Sequence, residues 1–347
     1  MRIAFVYTIG RPSSFIGRSF DLADNGGSEG SAIRFALELA KLGNDVSFFT
    51  PEAEPNTKDG VSWHAVETGE YKHGYDVAIA IRFPNVLLDV EAKVKALYCC
   101  DPEIVDLPAY TKAGFVNLVM VISKYQMQLF QLQHPIDEKL YFETNAGIHW
   151  NDYNRLDIPK VRGRCIYCSA PVRGLSALVG IWPLIRKSVP WATLHVMSSL
   201  CLWGIDYNPC NDPLISQLTA LDGVTYRGFV SREELIEEQL QSVLLLLPGN
   251  QTSPEMCCMA AMECAAAKNA LLVTDIAALP ERVVPGKSGS VIYYSNNNWQ
   301  CVFADTAAAM LRNPDLSLMH LHARAFERAH DYSVLARQWL YKFNSMM

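Results

Sequence analysis

Short apolar runs alternate with stretches of helical period along the chain. Residues 3–7, 45–50, 75–80, 95–99 and 117–122 have the short, apolar character of buried parallel strands. Between the first two runs, residues 29–42 place Ile33, Phe35, Leu37, Leu39 and Ala40 in a helical pattern. Gly43 follows where a C-cap glycine would end that helix. Another helix is predicted from Ser123. A second series begins after Asn151, Asp152, Tyr153 and Asn154, with strand-like runs at 164–167, 192–197, 243–247 and 270–274. Its helices carry Leu178, Ile181, Trp182 and Ile185 in one case and a Ser231/Glu234 capping box in another. A terminal helix is predicted over 333–343, with Val334, Leu335, Trp339, Leu340 and Phe343 as its apolar positions. Strands alternating with helices predict an α/β fold built on doubly wound parallel sheets. The polar segment 149–163 is the expected linker, which gives domains 1–150 and 151–330 with residues 331–347 beyond them.

Composition agrees with this and narrows the function. The chain has 347 residues, half of them hydrophobic, enough for two α/β domains with real cores. Its net charge of −6 leaves no global basic footprint for nucleic acid and disfavours a polyanionic partner. No apolar run reaches the roughly 18 residues of a membrane span, and no basic amphipathic helix is evident, so stable membrane insertion is not expected. The first residues read as a strand, not a leader. Of the ten cysteines, Cys165 and Cys168 form a single Cys-x2-Cys, and Cys201 and Cys210 are too irregularly spaced to complete a zinc site. The expectation is reduced thiols in a cytoplasmic protein, with no metal.

The chemistry concentrates after the run 242–247. Glu255 and Glu263 stand eight positions apart with only small or apolar residues between them. A helix beginning near Glu255 would put the two carboxylates about 12 Å apart. That is the length of a sugar joined through a diphosphate to a ribose. Glu255 would then hold sugar hydroxyls and Glu263 ribose hydroxyls. The free N–H groups around Met256, Cys257, Cys258 and Met259 would face the diphosphate. Glu263, flanked by Ala260, Ala261, Met262, Cys264 and Ala265, is expected to be buried against a partner.

Three loops add to this. The connection from Thr8 to about Ser28 exceeds the usual βα length of about 2–6 residues and holds Arg11, Arg18, Gly26, Gly27 and Glu29. Its glycines let the backbone approach a diphosphate at a helix start. They do not fit the Gly-x-Gly-x-x-Gly dinucleotide fingerprint. In the second half, Arg173 stands at a helix start, where a cation is disfavoured unless an anion intervenes. Arg227 and Gly228 lie in a loop between a short strand and the capped helix.

The ordered set of these motifs resembles retaining GT-B glycosyltransferases, above all glycosyltransferase family 4 with its Glu-x7-Glu motif. The resemblance covers most of the chain. It implies two Rossmann-like doubly wound domains facing a central cleft, the first binding the acceptor and the second the nucleotide-sugar donor, with the terminal helix crossing back to the first. Gly26, Gly27 and Glu29 match the family's Gly-Gly-x-Glu, and Arg173 fills the place of its diphosphate-binding basic residue. The family's earlier arginine in that loop is missing here, so Arg227 would share the diphosphate. The loop of Arg227 and Gly228 would lie against the base. Asn145, Ala146, Gly147 and Ile148 resemble the end of the family's first domain. Where relatives carry a sugar-facing histidine, this chain has Cys100, and Asp101 remains a polar contact for sugar or acceptor. The resemblance implies transfer from a UDP- or GDP-sugar with retention, without metal or other cofactor. The acceptor stays open among saccharide, small molecule, protein and modified nucleic acid, as does the oligomeric state. Sugar-nucleotide epimerisation and non-catalytic nucleotide-sugar binding remain alternatives.

Overall fold

The computed structural model describes residues 1–8, 27–51, 53–155, 157–201, 205–313 and 316–347. The chain forms two compact units, Met1–Gly147 with His330–Met347, and Ile148–Ala329.

The first unit is built on an eight-stranded sheet in the order β3-β4-β2-β1-β5-β6-β7-β8. Its strands are β1 (Arg2–Val6), β2 (Asp45–Thr50), β3 (Asn56–Lys58), β4 (Val61–Ala65), β5 (Val77–Ile81), β6 (Val94–Tyr98), β7 (Leu118–Val121) and β8 (Tyr141–Glu143). All pairs are parallel except β3 with β4. The central strands β1, β5, β6 and β7 are buried except at Arg2 of β1 and Lys95 of β6, which explains their apolar runs. The exposed β3, Asn-Thr-Lys, has no apolar pattern and escaped sequence reading.

Three helices follow in chain order, α1 (Gly27–Lys41), α2 (Leu107–Lys112) and α3 (Lys124–Gln133). Gly43 closes α1 in the left-handed region at φ +83°, its N–H on the Ala40 carbonyl at 2.9 Å. The C-terminal helix of the chain packs on α1. Its Trp339 stacks on Phe35 at 3.8 Å between ring centres and donates to Thr144 Oγ1 at 2.7 Å.

The second unit has a six-stranded, all-parallel sheet ordered β11-β10-β9-β12-β13-β14. The strands are β9 (Arg164–Tyr167), β10 (Thr193–Val196), β11 (Val224–Tyr226), β12 (Leu244–Leu247), β13 (Ala270–Thr274) and β14 (Gly289–Ile292). Helices α4 (Ala177–Ser188), α5 (Pro213–Thr219), α6 (Arg232–Gln241), α7 (Met259–Ala266), α8 (Trp299–Arg312) and α9 (Ser317–Glu327) surround it, and α10 (Tyr332–Asn344) is the C-terminal helix of the first unit. The Ser231/Glu234 capping box forms at the start of α6. Leu178, Ile181, Trp182 and Ile185 of α4 are fully buried in one core with the four leucines of β12.

One expected element is displaced. The helix predicted near Glu255 begins at Met259, so Glu255 lies in the preceding loop and the 12 Å helical spacing does not apply. A helix from Glu255 would need the Pro254 carbonyl for its first turn. Arg173 holds that carbonyl instead, and the Glu255 carbonyl accepts from the Ala278 N–H at 3.1 Å.

Candidate functional site

Strand order fixes where chemistry can gather. In the second unit the chain runs outward from β9 through β10 to β11, then returns to β12 beside β9 and runs outward the other way. Connections after β9 and β12 therefore leave in opposite directions and open a crevice at their carboxyl ends. Both loops singled out in the sequence sit at this switch point. They pack backbone to backbone. Gly174, at φ +106°, approaches Gly249 so closely that a Cβ would lie 2.2 Å from the Gly249 carbonyl oxygen. Only glycine fits there.

Side chains tie the same loops together. Asn250 Nδ2 donates to the Val172 carbonyl at 2.8 Å. Arg173 Nη1 donates to the Ser253 carbonyl at 2.7 Å and to that of Pro254. Ser169 Oγ donates to Glu255 Oε1 at 2.9 Å, and Arg173 Nε stands 3.6 Å from the same oxygen. Arg173 and Glu255, six residues beyond the two strands' ends in one case and eight in the other, thus meet as the strand order brings β9 to β12. Neither Glu255 Oε2 nor Arg173 Nη2 has a hydrogen-bond partner among the described residues. A carboxylate oxygen and a guanidinium edge are left for a ligand.

Met256, Cys257 and Cys258 turn their side chains inward and are buried. The Cys258 thiol is pushed well above its ordinary pKa, first by desolvation and then by the Glu255 carboxylate. What these residues offer a ligand is backbone. Cys258 caps α7 in the left-handed region at φ +58°, and the first N–H groups of α7 have no intrahelical acceptor. An N-terminal helix end of this kind favours an anion.

Glu263, in the second turn of α7, is 8 % exposed. Its Oε1 lies 2.7 Å from Arg232 Nη1 and its Oε2 accepts from Gln239 Nε2 at 3.3 Å. Arg232 also donates to the Tyr153 hydroxyl at 3.0 Å and lies 3.6 Å from Asp152. The Tyr153 hydroxyl in turn donates to Gln239 Oε1 at 3.0 Å. Burial opposes the charge on Arg232, but Glu263, Tyr153 and Asp152 together outweigh it and the guanidinium pKa stands above its ordinary value. The expected buried partner of Glu263 is therefore Arg232. A carboxylate accepts at about four lone-pair positions, so two are not used by these partners.

Arg227 is placed differently. Its guanidinium lies on Glu234 at 3.1 Å and Glu238 at 3.4 Å, and its side chain is 40 % exposed. Its described partners are these glutamates and not the loops of Arg173 and Glu255. Gly228, beside it, takes φ +65°.

The first unit has its own switch point, between β1 and β5. Tyr7 directly follows β1 and Arg82 directly follows β5, while Cys100 and Asp101 come just after β6. Arg82 forks onto Asp101 at 2.9 and 2.8 Å and reaches Glu29 Oε1 at 3.4 Å. The Tyr7 hydroxyl donates to the same Glu29 oxygen at 3.1 Å. Burial opposes the charge on Arg82, but Asp101 and its neighbours raise its pKa above the ordinary value. Burial pushes the Cys100 thiol up to about 12, against Arg82 and a hydrogen bond with Ser28. Arg82 stands at φ +69°, unusual for a residue with a side chain.

Glu29, Cys100 and Asp101 are thus brought together. Gly27 starts α1, and Arg11, Arg18 and Gly26 lie outside the described residues. Sequence reading missed Ser169, Arg232, Tyr7 and Arg82. The last two lie at or just past the ends of recognisable strands, but nothing local said that those strands were neighbours. Among the described residues no group of three or more His, Cys, Asp or Glu side chains is placed to hold a metal ion. No described helix is long and apolar enough to cross a membrane.

No family model matches the chain, and no curated protein matches it in sequence. Solved structures do match. Sucrose-phosphate synthase from Thermosynechococcus elongatus superposes with a TM-score of 0.73 at 13% identity, over 99% of this chain and 98% of that one. A glycosyltransferase from Rickettsia africae gives 0.74 at 14% identity, over 99% and 98%. Anabaena HepE, solved with UDP and glucose, gives 0.72 at 15% identity, over 99% and 100%. Such identities speak for the fold alone, and together with the two parallel sheets they establish that this chain has the GT-B fold.

Proposed function

We propose that this protein is a retaining glycosyltransferase that moves a sugar from a nucleoside-diphosphate sugar to an acceptor hydroxyl without a metal ion. The observation that carries this reading is the meeting of Glu255, Arg173 and the start of α7 at the switch point of the second unit. A cation, a helix N-terminus and a carboxylate with a free oxygen suit a diphosphate joined to a sugar. HepE, which shares the fold, has been solved with UDP and with UDP-glucose, which supports a UDP-sugar as donor and leaves GDP-sugars next in line.

In the reaction, the bond from the anomeric carbon to the diphosphate oxygen breaks, and the leaving oxygen takes the electron pair. Arg173 and the α7 amides neutralise that charge, the task a divalent ion performs elsewhere. The acceptor oxygen bonds to the anomeric carbon on the same face, and its proton passes to the leaving phosphate, so no side-chain base is assigned. Glu255 orients the sugar, and Glu263, steadied by Arg232, holds the ribose. In the first unit, the cluster of Tyr7, Glu29, Arg82, Cys100 and Asp101 serves the acceptor. We place the protein in the cytoplasm, where nucleotide sugars are made.

The test is a thermal-shift panel of UDP, GDP, ADP and CMP with UDP-glucose and GDP-mannose, NAD as control, and EDTA in parallel. Stabilisation by one diphosphonucleoside, unchanged by EDTA, is the expected result. A shift with NAD alone, or none with any nucleotide, overturns the reading.

A further inference from the structure

We propose that Ser169 is a positioning residue that sets the orientation of the Glu255 carboxylate, and through it the hold on the donor sugar. The inference rests on the reading of Glu255 as the sugar-binding group.

Glu255 lies in a loop, so neither a helix nor a ladder fixes its side chain, which has three rotatable bonds. Its direction depends on what its oxygens touch. Oε1 takes the Ser169 hydroxyl at 2.9 Å, while Arg173 Nε stands farther off at 3.6 Å. Because a carboxylate only accepts, the Ser169 hydroxyl must donate there. Oε1 is thereby engaged and Oε2 is left to receive ligand hydroxyls.

Ser169 itself is firmly mounted. Its carbonyl accepts from Ser198 Oγ at 2.6 Å, and the Ser198 carbonyl accepts from the Tyr226 hydroxyl at 2.8 Å. The next carbonyl, of Ala170, accepts from the Tyr167 hydroxyl at 2.8 Å. Tyr167 ends β9, Tyr226 ends β11 and Ser198 follows β10, so three neighbouring strands anchor the turn that carries Ser169. Glu255 adapts to Ser169, and not the reverse. Supporting groups of this kind hold a site's working residues within fractions of an ångström of productive geometry.

The roles of Ser169 and Arg173 separate. Arg173 uses Nη1 on the Ser253 and Pro254 carbonyls and keeps Nη2 for an anion. A diphosphate drawn to Arg173 leaves the Ser169 bond as the direct hydrogen bond on Glu255. Ser169 should therefore affect the sugar half of the donor and not the nucleotide half.

The experiment compares Ser169→Ala and Ser169→Thr with the wild type by calorimetry against UDP and UDP-glucose, or GDP and GDP-mannose if guanine is the base. It also follows donor hydrolysis in water. For Ser169→Ala we expect nucleotide affinity within about twofold, and sugar-dependent affinity and hydrolysis lower by about tenfold, the weight of one hydrogen bond to a charged group. Ser169→Thr keeps the hydroxyl and should restore both. Unchanged sugar discrimination in Ser169→Ala overturns the proposal. So does a matched loss of nucleotide affinity and melting temperature, which marks a merely structural role. If the wild type binds no nucleotide, the glycosyltransferase reading itself has failed. If it binds nucleotide and Ser169→Ala changes nothing, only the role of Ser169 has.

Discussion

Arg232 holds Glu263 at 2.7 Å, and the pair sits in a closed network with Gln239, Tyr153 and Asp152. Removing one member of such a pair leaves the other uncompensated in a buried place. Arg232→Ala should cost about 3 kcal/mol of stability. In a unit of this size that lowers the melting temperature by about 6–12 °C. Replacing both Arg232 and Glu263 with Met should restore part of the loss while abolishing nucleotide-sugar binding. Calorimetric melting of the single and double variants decides this. A loss in the double variant equal to the sum of the two single losses would mean that the two residues are not energetically coupled.

Glu255, by contrast, engages Ser169 and Arg173 through one oxygen, and its other oxygen has no partner among the described residues. On the proposed reading, Glu255→Ala should lower donor turnover by about a hundredfold or more while nucleotide affinity changes by less than about threefold. Hydrolysis and calorimetry measured on the same preparation separate the two effects. An early melting transition in the variant would instead make Glu255 a structural residue.

On the proposed reading, Arg173 joins phosphate recognition to loop architecture. Arg173→Ala should weaken UDP binding by about tenfold to a hundredfold, as expected for lost hydrogen bonds from a charged donor. Arg173→Lys should recover little, because an ammonium cannot reach the Ser253 and Pro254 carbonyls and an anion in the same fork. Full recovery in the lysine variant would show that charge alone matters.

The left-handed backbone at Arg82 gives a cleaner comparison. Arg82→Ala and Arg82→Gly both remove the guanidinium from Asp101 and Glu29. They differ in a single Cβ at φ +69°. The glycine variant should be more stable by about 1 kcal/mol, the usual penalty for a Cβ in that region. Denaturant unfolding of the two proteins tests this. Identical midpoints would mean that the backbone relaxes when the ion pair is gone.

Lys160 supplies the pH dependence. Its ammonium is buried among the carbonyls of Ser242 and Ala267 and the Asn269 side chain, and desolvation lowers its pKa from 10.5 to about 7. Between those values the unfolded chain keeps a proton that the folded chain has released. Stability therefore rises with pH across that window, and below it the full penalty of a buried charge remains. The melting temperature of the wild type should climb relative to Lys160→Met between about pH 7 and pH 10. A constant difference between the two would show that Lys160 stays protonated when folded.

What local physics controls was legible along the chain. Apolar runs marked the buried strands, Gly43 and the Ser231/Glu234 box marked helix ends, and the loops of Arg173 and Glu255 stood out by composition. The sequence also placed Glu263 among apolar neighbours, which required a buried partner. The tertiary structure decided which strands lie side by side. Only that ordering sets β9 against β12 and β1 against β5, and so brings Ser169 to Glu255 and Arg82 to Glu29 and Asp101. It also moved the start of α7, since Arg173 captures a carbonyl that a helix from Glu255 would have used, and it turned Arg227 onto Glu234 and Glu238. Period and capping are properties of neighbours in sequence. Ion pairs and loop contacts between distant segments depend on strand order, which no local pattern encodes.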